Sequence, residues 1–75
     1  MLYHLYSSEG CHLCEQAYDL CLPVLAEQML VVDIVDEENL VEQYGVHIPV
    51  LKNLSNGQEL FWPFNSKQIQ TFINS

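Results

Sequence analysis

Two cysteines three positions apart, Cys11 and Cys14, are the residues of this chain best suited to chemistry, because thiols at that spacing can be held close enough to open and close a disulfide. The address matters as much as the spacing. An apolar stretch from Met1 to Tyr6 comes first, Ser7-Ser8-Glu9-Gly10 makes a polar turn, and a helix-like pattern follows directly. A thiol at a helix N-terminus faces unpaired backbone N–H groups and the positive end of the helix dipole, and both favour thiolate over thiol. Cys11 is expected there as the attacking sulfur. Cys14, one turn further in and more buried, is expected to attack second and resolve the mixed disulfide. His12, when protonated, can stabilise a Cys11 thiolate, or it can be a plain exposed residue of the first turn; Glu9 and Glu15 push against the thiolate.

Zinc is the competing use of the pair, with His4, His12, His47 and Cys21 as the other candidate ligands. On an unbroken helix Cys21 lies about 10.5 Å beyond Cys14, outside the reach of a disulfide or a shared tetrahedral ion. Cys21 is therefore read as a small buried hydrophobe, His4 and His47 as structural, and no metal is expected. Asp36, Glu37, Glu38 and Glu42 fit the solvated start of a helix better than acid–base catalysis. Ile48-Pro49 is the second chemical clue: a proline that leads into a strand after a loop is where a cis bond can present backbone groups to an extended substrate.

The elements that must position these residues follow from periodicity. Residues 2 to 7 are apolar on both faces and predict a central strand. Cys14, Ala17, Tyr18, Cys21 and Leu25 recur at helical intervals, with Pro23 either ending or kinking that helix. Leu30 to Val35 predicts a second buried strand, parallel to the first, and a short helix then runs through Tyr44 to a left-handed cap at Gly45. Pro49 to Leu54 and Gln58 to Trp62 predict a hairpin with Asn56 and Gly57 both at positive φ in the turn. Asn65 or Ser66 caps a last helix whose Ile69, Phe72 and Ile73 face the core. The order is βαβαββα, one domain over residues 1–75 with no internal repeat or linker.

Composition limits the partners. Hydrophobic residues are 49% of the 75, enough for a packed core, so the chain is expected to fold alone and act as a monomer. Ten acidic residues against Lys52 and Lys67 give a formal charge of −8, which disfavours nucleic acid and anionic membranes and favours a basic or neutral partner surface. The start lacks a basic n-region, no apolar run nears the roughly 18 residues of a membrane span, and three cysteines cannot all pair within one chain. A cytoplasmic location is expected.

Together, the βαβαββα order, the Cys-x-x-Cys at the first strand-to-helix junction and Ile48-Pro49 before the third strand resemble the thioredoxin superfamily, in particular short glutaredoxin-like proteins. The resemblance implies an α/β fold with a four-stranded mixed sheet in order 2-1-3-4 and helices on both faces. It implies that Cys11 attacks, that Cys14 resolves, and that a cis Pro49 packs beside the dithiol, with Ile48-Pro49 aligning the substrate. The activity implied is a thiol-disulfide oxidoreductase with no bound cofactor, acting on disulfide-containing proteins and re-reduced by a reductase or by glutathione. Glutathione is anionic and has only Lys52 and Lys67 to answer it, so weak binding is expected. Where glutaredoxins carry a Gly-Gly-x-Asp-like turn this chain has Trp62-Pro63-Phe64-Asn65. The alternative is a protein-binding module of the same fold with idle thiols.

Overall fold

Tyr3–Ser7 forms the first strand, β1, and the other three strands assemble around it. The structure, a computed structural model, describes residues 2–74; Met1, the start of the apolar stretch noted above, and Ser75 lie outside that range. Helix α1 (His12–Leu25) leads back to β2 (Met29–Asp33), which pairs with β1 in parallel from Tyr3–Met29 to Ser7–Asp33. After α2 (Glu38–Tyr44), β3 (Val50–Asn53) pairs antiparallel to the other side of β1, and β4 (Glu59–Phe61) pairs antiparallel to β3. Helix α3 (Ser66–Ile73) closes the chain. The sheet is mixed, in order 2-1-3-4, as the resemblance implies.

Side-chain alternation along β1 divides the core in two. Tyr3 and Leu5 pack with Ala17, Cys21 and Leu25 of α1 and with Ile69 and Phe72 of α3, whereas Tyr6 points to the opposite face and packs with Ile34, Tyr44 and Val50. Helices therefore cover both faces, and β1 is held from both sides at the point where it hands the chain to the cysteines. On the α2 face Tyr6 stacks on Tyr44 with ring centroids 4.4 Å apart, and the Tyr44 hydroxyl donates to the Glu59 carboxylate.

Helix α1 does not end at Pro23 but runs through it to Leu25, which excludes the first of the two courses the sequence allows. Pro23 is exposed while Cys21 and Leu25 on either side are anchored in the core, and that packing carries the last turn past the missing donor. The second strand is shorter than Leu30 to Val35 and is not buried: it stands at the sheet edge, with Leu30 and Val31 exposed. Asp33 ends it by accepting the Val35 N–H at 3.0 Å and starting a single 3-10 turn. Gly45 is right-handed (φ −49°) rather than left-handed, because the chain keeps turning and the Tyr44 carbonyl is satisfied by the His47 and Ile48 N–H groups at 2.8 and 3.1 Å. In the β3–β4 connection only Gly57 takes positive φ (+76°); Asn56 instead accepts the Gln58 N–H on its side chain at 2.9 Å. The last helix has the full capping box, Asn65 and Gln68 each bonding the other's backbone N–H. Among the described residues no helix is long and apolar enough to cross a membrane.

Candidate functional site

The first strand ends at Ser7, and the chain must turn sharply to start α1 five residues later. Gly10 allows it: its φ of +79° lies in the left-handed region, which side chains with a Cβ rarely adopt. Cys11 follows as the N-cap of α1, in extended conformation, with its N–H bonded to the Ser8 carbonyl at 3.3 Å. N-caps are ordinarily Ser, Thr, Asp or Asn, whose oxygen accepts a free N–H of the first turn. Here sulfur takes that role, and Cys11 Sγ accepts the Cys14 N–H at 3.1 Å.

Cys11 and Cys14 are joined as a disulfide across this first turn, their Cα atoms 5.2 Å apart. The two sulfurs are unequal in environment: Cys11 is half-buried, whereas Cys14 is 3% exposed. The disulfide lies in the wall of a cavity of about 610 Å³ between α1 and the β1–β2 edge. Leu5 and Val31 give it an apolar floor; Ser7, Ser8 and Tyr18 add hydroxyls; Glu9, Glu15 and Asp19 add carboxylates. No lysine lines it.

His12 occupies the same first turn and is almost fully exposed, its Nδ1 3.5 Å from Glu15 Oε2. Ile48 and Pro49 reach the same end of the sheet by strand register. The last β1–β3 pair is Tyr6–Val50, so one further step sets Pro49 opposite Ser7. The Ile48–Pro49 bond is cis and Pro49 is fully buried. Neither residue lines the cavity. The Ile48 N–H already donates to the Tyr44 carbonyl at 3.1 Å, and the Pro49 carbonyl accepts the Trp62 N–H at 3.2 Å, whereas the Ile48 carbonyl accepts no backbone N–H among the described residues. Trp62–Pro63 is cis as well, a bond that nothing in the sequence order singles out.

Cys21 is wholly enclosed in the core and burial pushes its thiol up to about 11. His4 sits half-buried on the α2 face with the Tyr6 hydroxyl 3.5 Å from its Nδ1, and its pKa is lowered chiefly by desolvation. His47 lies against the Phe61 ring, 5.6 Å between centroids. Among the described residues no three His, Cys, Asp or Glu side chains converge as a metal site. The sequence reading missed Tyr18, Asp19 and Val31 as cavity residues. A signal existed for the first two: positions 11, 14, 15, 18 and 19 form one helical stripe that starts at the dithiol.

A family model described as a glutaredoxin-like domain (DUF836) matches residues 3–74. No curated protein matches the chain. Among solved structures, the X-ray structure of Northeast Structural Genomics target protein XcR50 from X. campestris is similar at 33% identity and TM-score 0.86, covering 96% of this chain and 95% of that one. The solution structure of the same target gives 34% identity and TM-score 0.85, covering 99% and 94%. Protein Ne2328 from Nitrosomonas europaea is similar at 31% identity and TM-score 0.73, covering 93% and 87%.

Proposed function

We propose that this chain, which belongs to the glutaredoxin-like domain family, is a cytoplasmic thiol-disulfide oxidoreductase that reduces disulfides in protein substrates. One observation carries the reading: the N-cap sulfur of α1 is disulfide-bonded to the cysteine one turn inside the helix, at the wall of an open cavity.

In the reduced protein the Cys11 thiolate attacks a substrate disulfide. One substrate sulfur leaves as thiolate and takes a proton from water, and a Cys11–substrate mixed disulfide remains. Cys14 then loses its proton, attacks Cys11 Sγ, and expels the second substrate thiolate, which is protonated in turn. Two electrons have passed from the protein dithiol to the substrate, and the Cys11–Cys14 disulfide is closed. A dithiol reductant, supplied by a reductase, or two molecules of a monothiol such as glutathione return the two electrons and leave as a disulfide.

The N–H bond on Cys11 Sγ acts in the first step, since the same donor that caps the helix stabilises negative charge on the sulfur. His12 modulates that charge from the exposed side of the turn. Ile48 and Pro49 serve as the substrate-aligning edge through the Ile48 carbonyl. The buried Cys21 takes no part.

The test is turnover of insulin disulfides with a dithiol reductant, run beside a glutathione-coupled assay. The wild type is expected to accelerate the dithiol-driven reaction and Cys11→Ser to abolish that acceleration. A wild-type rate equal to that of the reductant alone would leave the chain as a binding module with idle thiols.

A further inference from the structure

The cavity at the disulfide carries a charge that bears on what can enter it. Glu9, Glu15 and Asp19 line it, and both lysines stand elsewhere. Lys52 lies on β3 with its neighbours His4 and Glu59 across the strands, and Lys67 belongs to a separate groove formed by α3 and Leu60. The chain has no arginine, and among the described residues the cation that stands beside these carboxylates is a protonated His12, 3.5 Å from Glu15. The carboxylates bracket the reactive sulfur: Glu9 is two residues before Cys11, while Glu15 and Asp19 follow it one turn apart on a single face of α1.

Resting on the exchange activity proposed above, we infer that the substrate is a polypeptide disulfide flanked by basic residues, with Glu9, Glu15 and Asp19 as the specificity-determining side chains. An extended peptide rises about 3.3 Å per residue, so a lysine or arginine one or two positions from the substrate cysteine comes within about 7 Å of the bond being exchanged. That is inside the Debye length of about 10 Å at 0.1 M salt, where exposed charges still interact. The apolar floor of Leu5 and Val31 accepts one neighbouring aliphatic side chain. The same field repels anionic disulfides, oxidised glutathione among them, whose carboxylates find no lysine in the cavity wall.

The experiment uses the full chain reduced at both active-site cysteines and three short cyclic peptide disulfides that are identical except for Lys, Gln or Glu beside each cysteine. Second-order rates of stoichiometric oxidation of the protein are divided by the rate of each peptide with dithiothreitol, a neutral dithiol, to remove intrinsic reactivity. Each carboxylate is expected to change the rate by about two- to threefold at low salt, so the Lys peptide should outrun the Glu peptide about tenfold or more, falling to about twofold at 0.5 M salt. The double variant Glu15→Gln, Asp19→Asn should lower the low-salt ratio to about threefold. The salt response of the wild type tests the same field without any substitution. Equal normalised rates for the three peptides, or a faster Glu peptide, would overturn the substrate class while leaving disulfide exchange intact. No oxidation by any peptide would remove the exchange activity itself.

Discussion

The reactivity of Cys11 in a Cys14→Ser variant puts the capped-sulfur geometry to a quantitative test. The variant removes the partner sulfur but keeps the backbone N–H that donates to Cys11 Sγ at 3.1 Å. For a thiolate, that bond is worth about 1.5 kcal/mol and the helix N-terminus about 0.5 kcal/mol. Glu9 and Glu15, both exposed, oppose it by about 0.5 kcal/mol each at roughly 8 Å in water. The net, about 1 kcal/mol, is roughly a fivefold rise in the thiolate-to-thiol ratio. A more stable thiolate is also a weaker nucleophile, and with a Brønsted slope of about 0.4–0.5 nearly half of the logarithmic gain is given back. Exchange with dipyridyl disulfide, followed by the released thione, should therefore run about two- to threefold faster than with free cysteine at pH 7. Above about pH 9.5 it should run roughly half as fast, so the two pH profiles cross. Added salt screens the two carboxylates more than the local N–H bond, and the pH 7 rate should rise with it. A profile that overlies that of free cysteine, or that rises only at higher pH, would refute the stabilisation of the sulfur by the helix start.

Three further outcomes follow from the packing. In the folded, fully reduced protein an aromatic disulfide reagent at pH 8 should consume two thiols quickly, Cys11 by attack and the buried Cys14 by resolving the Cys11 adduct, and the third only in denaturant, because burial holds the Cys21 thiol up at about 11; rapid loss of all three would contradict the core placement. Tyr44→Phe leaves the Glu59 carboxylate and the Gln43 amide without their shared partner and should cost about 1–2 kcal/mol in urea unfolding, whereas an unchanged midpoint would show that this pairing contributes nothing. Asn65→Ala removes the capping box of α3 and should cost about 1 kcal/mol, a fall in Tm of about 4–8 °C, with Asn65→Ser restoring most of it.

The parts of this molecule legible in its sequence are those set by short-range pattern. The dithiol sits at a strand-to-helix junction because an apolar run, a polar turn with glycine and a helical stripe are contiguous in the chain, and the α3 cap and its Ile69–Phe72 face are equally local. The exposure of Leu30 and Val31 was not legible in the run itself, since an aliphatic run reads alike whether its strand is central or at an edge; the sheet order decides, and the order 2-1-3-4 implied by the resemblance already puts this strand at the edge. Gly45 misled for a related reason: a helix-ending glycine signals a left-handed cap unless the following residues satisfy the last carbonyl, as His47 and Ile48 do here. The Tyr44–Glu59 bond joins α2 to β4 across 15 residues and leaves no local trace. At the site, the sequence located Cys11 and Cys14 but not the wall supplied by Tyr18, Asp19 and Val31, which requires knowing that α1 and the β2 edge flank one cavity.

The most direct test of Cys11 as attacking sulfur and Cys14 as resolving sulfur is trapping. Reduced Cys14→Ser and Cys11→Ser variants are each mixed with a peptide disulfide, quenched with acid, and mapped by mass. A mixed disulfide that accumulates on Cys11 in the first variant, with little or none on Cys14 in the second, is the predicted result. Equal adducts on both cysteines, or faster capture by Cys14, would contradict it.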